Sequence, residues 1–306
     1  MSLTLRQLRY LVAVADSLHF RKAAAACHVS QPALTTQIQE LEDRLGVQLI
    51  ERTRRKVLLT PIGTEIVTRA RSLLDEVEQI EEIARRRHKP LVGPLRLGVI
   101  PTVGPYLLPR TLPSVRTAYP DLQLFLREDQ TERLLERLRL GQLDLLLLAL
   151  PVSEAEFDCL PLFDEPFLLA APPGHRLAEK PDLAESSLAG EGVLLLEEGH
   201  CLRDQALAVC RLAGAVEADT FQATSLNTLT QMVANGLGVT LLPSLAVEVE
   251  VHSDSRIVTR PFASPPPQRR IALVWRRSSG RAHEFRLLGD CLRANLPEGV
   301  SVVGAT

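Results

Sequence analysis

The sequence predicts an α+β multidomain protein, with a helical head followed by a longer body in which strands and helices alternate. At 306 residues the chain is too long for one ordinary domain. Helical patterns fill most of the first 60 residues, and apolar strand patterns alternate with helical ones from residue 95 onward. An apolar fraction of 45% is ample for packed cores.

Charge is distributed unevenly along the chain. Residues 1–90 contain fifteen lysines and arginines against eleven acidic residues, whereas the remainder contains twenty against twenty-six. A basic head on an acidic body favours nucleic acid as the partner of the head. No run of about 18 apolar residues occurs, and Arg6 and Arg9 interrupt the N-terminal stretch where a secretion signal would lie. We therefore expect a cytoplasmic protein without membrane contact.

The five cysteines show no spacing that is typical of a metal site. There is neither a CxxC pair nor a Cys/His cluster, so we expect no metal and no cofactor. Cys27, Cys159 and Cys291 are interpreted as packing residues, with Cys159 in a loop and Cys291 in the closing helix.

Three helical patterns open the head. The first, Leu5–Ser17, follows the capping residue Thr4. The second, at 20–27, holds four consecutive alanines that allow a close helix approach. The third begins after Ser30, has Pro32 in its first turn and reaches about residue 45. Two helices joined by a three-residue turn are typical of a helix-turn-helix.

The third helix and the hairpin after it carry groups that suit DNA binding. Amide and hydroxyl side chains on the helix can reach base edges, and cations at the hairpin tip suit phosphate contacts. A solvated three-helix bundle with a charged hairpin is the alternative. The predicted DNA-binding residues are Ser30, Gln31, Pro32, Thr35, Thr36, Arg52, Arg54 and Lys56.

Thr60 and Pro61 open a long helix, the first as its cap and the second in its first turn. Apolar residues recur along it at positions 66, 70, 73, 77, 80 and 84. This a/d spacing over nearly three heptads predicts a helix pair, and we interpret residues 61–88 as a dimerisation helix. Packing of the same face against its own chain is the alternative.

The body begins after a hinge at residues 89–94, which contains a Gly-Pro pair. The run Leu143–Leu150 is apolar on both faces, as in a central parallel strand. Further strands are predicted at Phe167–Ala171 and Arg270–Trp275, with a closing helix at Ala282–Ala294. Such an alternation predicts doubly wound sheets with helices on both faces.

A turn at Gly199 leads into a short amphipathic helix that carries Cys201 and Cys210. Nine helical residues rotate by about 900° and rise by about 13 Å, so the two thiols point to opposite faces. A disulfide requires Cα atoms within about 7 Å, and pairing would therefore require the helix to unwind. The first-turn position, beside His200 and Arg203, favours a Cys201 thiolate, whereas Glu197, Glu198 and Asp204 oppose it, so the sequence leaves the pKa of this thiol open. Two small buried hydrophobes are the alternative.

The head resembles the DNA-binding part of LysR-type transcriptional regulators. The resemblance rests on the runs Leu8-Arg9-Tyr10-Leu11, Ser30-Gln31-Pro32-Ala33-Leu34-Thr35, Leu45-Gly46-Val47 and Leu59-Thr60-Pro61-Ile62-Gly63. It implies a winged helix-turn-helix, a long dimerisation helix, and a two-subdomain α/β regulatory part that resembles periplasmic binding proteins, with effectors bound in the cleft between subdomains. The implied divisions are 1–60 for the DNA-binding domain, 61–88 for the dimerisation helix, 89–94 for the hinge, 95–162 with 268–306 for subdomain I, and 163–267 for subdomain II.

Within that family, the body resembles the members that sense hydrogen peroxide. The most specific run is Glu198-Gly199-His200-Cys201-Leu202-Arg203-Asp204-Gln205, with Cys210 nine residues after Cys201. The resemblance implies that Cys201 is the peroxidatic thiol and Cys210 the resolving thiol. It also implies a peroxide pocket formed by Thr102, Thr131, His200 and Arg270.

The same resemblance implies a set of partners. These are double-stranded promoter DNA, hydrogen peroxide as the signal, RNA polymerase, a cytosolic thiol reductant, and further copies of the chain in a dimer through residues 61–88 and a tetramer. A thiol pair that is oxidised by its signal and then reduced again by a separate thiol is typical of a sensor, so we do not expect an enzyme. A LysR-type regulator with an organic effector in its cleft is one alternative, and a thiol peroxidase with a DNA-binding head is another.

Overall fold

The computed structural model describes residues 3–52, 56–85, 90–152, 155–180, 183–252 and 254–303, apart from the side chains of residues 52, 81–85 and 217–220. The chain divides into two compact units, residues 1–88 and 89–306. Each unit has its own hydrophobic core.

The first unit is a winged helix-turn-helix followed by a long helix. The Thr4 side chain begins the first helix with a capping box to Gln7, and the Ser30 Oγ begins the third by accepting from the Ala33 N–H. The predicted fold of the head is thereby confirmed. Its described elements are α1 (Leu5–Ser17), α2 (Phe20–Ala26), α3 (Gln31–Leu45), β1 (Ile50–Arg52), β2 (Val57–Leu59) and α4 (Pro61–Arg85).

Two contacts fix the β1–β2 hairpin against the helices. Glu42 Oε1, on α3, accepts from the backbone N–H groups of Leu49 and Ile50 at 2.8 and 2.9 Å. Gly63 lies in the first turn of α4, where a Cβ atom would come within 2.1 Å of the Leu49 carbonyl oxygen. Only glycine permits this close backbone approach.

The apolar face of α4 is covered in its first turns and open further along. Val67 and Ala70 are buried, and α4 packs against α1. Leu73 and Ile80 are 50% and 66% exposed. Among the seam residues that the structure describes, Leu73 and Ile80 are thus the ones that a partner helix would bury. The dimer through this helix stays a prediction.

The described part of the second unit contains two sheets that share one long strand, and a separate two-stranded sheet. Its described elements are β3 (Gly93–Val99), α5 (Gly104–Ala118), β4 (Leu122–Glu128), α6 (Thr131–Arg139), β5 (Leu145–Ala149), β6 (Phe157–Ala171), a 3₁₀ turn (Glu185–Leu188), β7 (Gly192–Leu196), α7 (Cys201–Ala213), β8 (Val216–Ala223), α8 (Leu226–Ala234), β9 (Thr240–Pro243), α9 (Ser244–Glu250), β10 (Val258–Pro261), β11 (Gln268–Arg276), α10 (Ala282–Arg293) and β12 (Ser301–Val302).

Strand β6 runs through both sheets. In the first sheet β3 is parallel to β4 and β5, and β11 lies antiparallel between β5 and β6. From Phe167 onward, β6 pairs instead with β9 and β10. A bridge from Val239, just before β9, to Val193 leads on to β7, which is parallel to β8. This α/β architecture agrees with the predicted fold class.

The observed elements differ from the predicted ones mainly along β6. The predicted strand Phe167–Ala171 is only the end of this strand, because prolines at 161 and 166 obscure the strand pattern before it. The short elements α9 and β10 were not predicted. Strand pairing changes near residue 166, and the division into subdomains at 162 and 268 stays a prediction. None of the described helices is long and apolar enough to cross a membrane.

Candidate functional site

Helix α7 presents the two cysteines at different depths. Cys201 is the first residue of the helix and is partly buried, whereas Cys210 is only 3% exposed and packs in the core of the unit. The helix continues unbroken to Ala213 and ends at Gly214 in the left-handed conformation. No disulfide joins Cys201 and Cys210, and a rise of nine helical residues separates their Cα atoms by about 13 Å.

Three loops meet around the Cys201 thiol. The loop after β3 contributes Thr102, the start of α6 contributes Thr131, and the turn before α7 contributes His200. These side chains line a narrow cleft, too tight to hold a water molecule in this conformation, together with Ile100, Pro101, Gln130, Gly199 and Cys201. The structure thus brings three of the four predicted pocket residues to the thiol.

The Thr131 hydroxyl, which can both donate and accept a hydrogen bond, has no partner among the described residues. Its Oγ1 atom is buried and makes no hydrogen bond within the part of the chain that the structure describes. An unsatisfied buried hydroxyl costs roughly 1–3 kcal/mol. A small polar ligand in the cleft would remove this penalty.

His200 is buried beside the thiol and favours the neutral imidazole. Burial lowers its pKa from the ordinary value of 6.5, and the nearby Glu197 carboxylate, 3.8 Å from Nε2, opposes this shift more weakly. A neutral imidazole can donate one hydrogen bond and accept another. His200 can therefore orient a peroxide without adding a charge to the cleft.

The prediction that Arg270 lies in the pocket is wrong. Arg270 is 48% exposed on the opposite face of β11, where its guanidinium binds both oxygens of Asp164. Its neighbour Arg269 points instead to Thr102, which lines the cleft, and donates to the Thr102 Oγ1 and carbonyl oxygens at 2.8 and 2.9 Å. Successive side chains of a strand point to opposite faces, so an error of one residue reverses the assignment.

Arg269 belongs to a buried network that supports the cleft from behind. Its Nε donates to Glu165 Oε2 at 2.8 Å, and both side chains are 0% exposed. Glu165 Oε1 accepts from the Leu245 N–H, at the start of α9, at 2.9 Å. The network thus fixes Thr102 through a fully paired charge. The double Arg motif at 269 and 270 did not by itself show which residue faces inward.

Gly199 allows the loops to come together. Its φ of +93° suits glycine, and a Cβ atom would lie 2.7 Å from Gln130 Oε1. Gln130 Nε2 donates to the Glu198 carbonyl oxygen at 3.4 Å. These two residues close one side of the cleft, and neither was predicted as a site residue.

The predicted DNA-binding residues cluster at the start of α3. Gln31, Pro32 and Thr36 are exposed and Thr35 is partly buried, on the first turns after the Ser30 cap. Lys56 is exposed before β2. The Arg52 side chain and all of Arg54 lie outside the described residues.

The remaining cysteines occupy different environments from one another. Cys27 and Cys291 are partly buried, and burial raises the pKa of both thiols. Cys159 is exposed on strand β6, so its interpretation as a packing residue in a loop is wrong.

Both units match models of one protein family. A model described as "LysR substrate binding domain" matches residues 88–297, and one described as "Bacterial regulatory helix-turn-helix protein, lysR family" matches residues 5–64. Together they cover most of the chain.

Similar proteins agree with these matches. The chain is 48% identical over 294 residues to the "DNA-binding transcriptional dual regulator OxyR" of Escherichia coli K12, covering 96% of each chain. It is 51% identical over 291 residues to a "probable hydrogen peroxide-inducible genes activator" of Streptomyces viridosporus, covering 95% of this chain and 93% of that one.

Solved structures give the same relationship. A full-length OxyR from Pseudomonas aeruginosa with a cysteine-to-aspartate substitution has a TM-score of 0.83 at 39% identity, over 100% of this chain and 99% of that one. A peroxide-bound OxyR mutant from Corynebacterium glutamicum has a TM-score of 0.66 at 41% identity, over 96% and 94%. The chain therefore belongs to the LysR family of DNA-binding transcriptional regulators.

Proposed function

We propose that this chain is a transcriptional regulator that senses hydrogen peroxide through oxidation of Cys201 and a disulfide with Cys210. The observation that carries the proposal is the cleft at Cys201, where a buried Thr131 hydroxyl has no hydrogen-bond partner among the described residues and His200 and Thr102 line the same space. The cleft is closed to a water molecule in this conformation, so a ligand of two heavy atoms would need a smaller opening than an aromatic effector would. The similar proteins named above as peroxide-inducible activators support the same function.

The first step forms a sulfenic acid on Cys201. The Cys201 thiolate attacks one peroxide oxygen, the O–O bond breaks, and the leaving hydroxide takes a proton to become water. The sulfur is oxidised and the peroxide is reduced. Hydrogen bonds from the Thr131 and Thr102 hydroxyls and from His200 would hold the peroxide and stabilise the leaving oxygen. Arg269 acts from behind by holding Thr102.

The second step forms the disulfide and requires α7 to unwind. The Cys210 thiolate attacks the Cys201 sulfur, the S–O bond breaks, and the hydroxyl leaves as water after taking a proton. The separation of about 13 Å must first fall to within disulfide range. Unwinding would release Leu202 and Ala206, each 2% exposed in the helix, from the core. Burial of a leucine side chain contributes about 1.5–3 kcal/mol, so the helical form opposes the reaction until the sulfenic acid forms.

The proposed output is a change in how the regulatory parts pair. Repacking around α7 would alter their contacts, and α4 would transmit the change to the DNA-binding heads of a dimer or tetramer. We place the protein in the bacterial cytoplasm, where promoter DNA, RNA polymerase and a thiol reductant that reverses the disulfide are its partners. Ser30, Gln31, Pro32, Thr35 and Thr36 would contact bases. Arg52, Arg54 and Lys56 would contact phosphates.

Trapping of the sulfenic acid tests the proposal. In the Cys210→Ser variant, brief peroxide treatment in the presence of dimedone should place one adduct on Cys201 and none on Cys159, although Cys159 is the more exposed thiol. Adding Thr131→Val should slow adduct formation about tenfold, because one hydrogen bond of about 1.4 kcal/mol to the transition state is lost. An adduct that forms first on Cys159 would exclude Cys201 as the sensor.

A further inference from the structure

Tyr106, in the first turn of α5, makes a buried hydrogen bond that the proposed reaction does not use. Its hydroxyl donates to Oε1 of Glu250, the last residue of α9, at 2.7 Å, and both residues are buried. Burial and the Glu250 carboxylate raise the pKa of Tyr106, so the phenol stays protonated and acts as the donor. The second carboxylate oxygen accepts from Asn227 Nδ2 at 3.0 Å. Hydrogen bonds to a carboxylate are about twice as strong as neutral ones, so this contact links α5 firmly to α9.

The contact closes a ring that includes the buried network behind the cleft. Glu165 accepts from a backbone N–H at the start of α9 and from Arg269. Arg269 donates to Thr102, which lies four residues before Tyr106 in the chain. The ring then runs through the first turn of α5 to Tyr106, and through Glu250 to the end of α9. The segment from residue 102 to residue 106 is therefore held at both ends, and α9 connects the two points.

The turn that carries Thr102 is continuous with the first turn of α5. The Ile100 carbonyl oxygen accepts from the N–H groups of Val103 and Gly104, each at 3.0 Å. The Val103 carbonyl oxygen accepts from the Tyr106 N–H at 3.2 Å. A tilt of this helical turn would therefore move Thr102 with it. A misplacement of about 1 Å in a reacting geometry can slow a reaction about 100-fold, so the angle of this turn matters for a hydroxyl that holds a peroxide.

We propose that Tyr106 and Glu250 are positioning residues for the reaction of Cys201 with peroxide. Neither residue lines the cleft, and both act by fixing the turn that presents the Thr102 hydroxyl to it. The inference rests on the proposed function. Loss of either residue should slow the attack on peroxide and leave the thiol itself unchanged. A contact that served only the stability of the fold would leave the rate of the folded protein unchanged.

Two rates measured on Cys201 in the full-length protein, in a Cys210→Ser background, test this role. One is the rate of sulfenic acid formation by hydrogen peroxide, trapped as the dimedone adduct. The other is the rate of alkylation by iodoacetamide, which involves no peroxide oxygen. Tyr106→Phe should lower the peroxide rate about threefold, less than the loss of a direct hydrogen bond would, and leave the alkylation rate unchanged. Equal falls in both rates, or an unchanged peroxide rate, would overturn the inference.

Variants of Glu250 and of its neighbour Glu248 supply the matched comparison. Glu250→Gln keeps an oxygen that can accept from Tyr106, so it should retain most of the peroxide rate, whereas Glu250→Leu should lower it as Tyr106→Phe does. The exposed Glu248 pairs with Arg110 of α5, and Glu248→Gln removes this second contact between the same two helices. It should leave both rates unchanged. A fall equal to that in Glu250→Leu would overturn the specific role of the buried contact.

A double-mutant cycle tests whether Tyr106 acts through Thr102. In a Thr102→Val background, which lacks the hydroxyl but keeps the shape of the side chain, Tyr106→Phe should cause no further fall in the peroxide rate. The same threefold fall in both backgrounds would overturn the action through Thr102. If the Cys210→Ser protein forms no adduct on Cys201, the proposed function fails and the inference fails with it. An adduct that forms equally fast with and without Tyr106→Phe overturns the inference alone.

Discussion

Replacement of Arg269 by methionine tests the buried network behind the cleft. The change removes a guanidinium that makes three hydrogen bonds of 2.8–2.9 Å, two to Thr102 and one to Glu165. Both charged side chains are fully buried, so Glu165 would keep the Leu245 N–H as its one partner among the described residues. Breaking a buried, hydrogen-bonded ion pair costs about 3–5 kcal/mol.

Urea unfolding followed by tryptophan fluorescence measures this cost in the regulatory unit alone. Trp275 is the single tryptophan of the chain and is fully buried in that unit. With a slope of about 2–3 kcal/mol per molar urea, Arg269→Met should lower the unfolding midpoint by about 1–2.5 M. It should also slow sulfenic acid formation on Cys201, because Thr102 loses its support.

Arg270→Met is the matched control, since it makes the same change one residue further along β11. Its ion pair with Asp164 lies at the surface, and we expect little change in the midpoint or in the oxidation rate. Should Arg269→Met fail to fold, Arg269→Lys, which keeps the charge but loses the planar donor set, should give an intermediate loss. If Arg269→Met and Arg270→Met lower the urea midpoint and the oxidation rate equally, Arg269 is not the inward-facing arginine.

Three further predictions concern other parts of the chain. Because burial lowers the pKa of His200, the unfolded chain binds more protons than the folded chain near and below pH 6.5. Lowering the pH from 7.5 to 5.5 should therefore lower the urea midpoint, and it should lower it less in His200→Gln. Leu73→Asp should yield monomers in light scattering, whereas the neighbouring Ser72→Asp should leave the oligomer intact. Monomers in both variants would mean that the added negative charge, and not the loss of an apolar contact at Leu73, separates the chains. Lys56→Ala should weaken promoter binding and reduce its salt slope by about one, and an unchanged slope would remove this lysine from the interface.

Sequence patterns predicted the elements whose ends are chemically marked. Thr4, Ser30 and Thr60 cap α1, α3 and α4 at the predicted positions, and Gly214 ends α7. The apolar run of β5 was predicted because a strand buried on both faces needs no alternation. Each of these signals lies within a few residues of the element that it marks, so a single sequence is enough to recognise it.

The errors arose where the outcome depends on tertiary contacts. The direction of Arg269 and Arg270 depends on the register of β11 against β5 and β6, which two adjacent arginines do not reveal. The close approach of Gly199 to Gln130 joins residues 69 positions apart, and no local pattern marks it. The exposure of Cys159 follows from the position of β6, whose first part was not predicted as strand.

The most direct test of the central claim is non-reducing peptide mapping of the full-length protein after one equivalent of hydrogen peroxide. Free thiols are alkylated at once, and the peptides are identified by mass spectrometry. We predict a Cys201–Cys210 crosslink, with alkylated Cys27, Cys159 and Cys291. Alkylation of both Cys201 and Cys210 in protein that has consumed the peroxide would contradict the account.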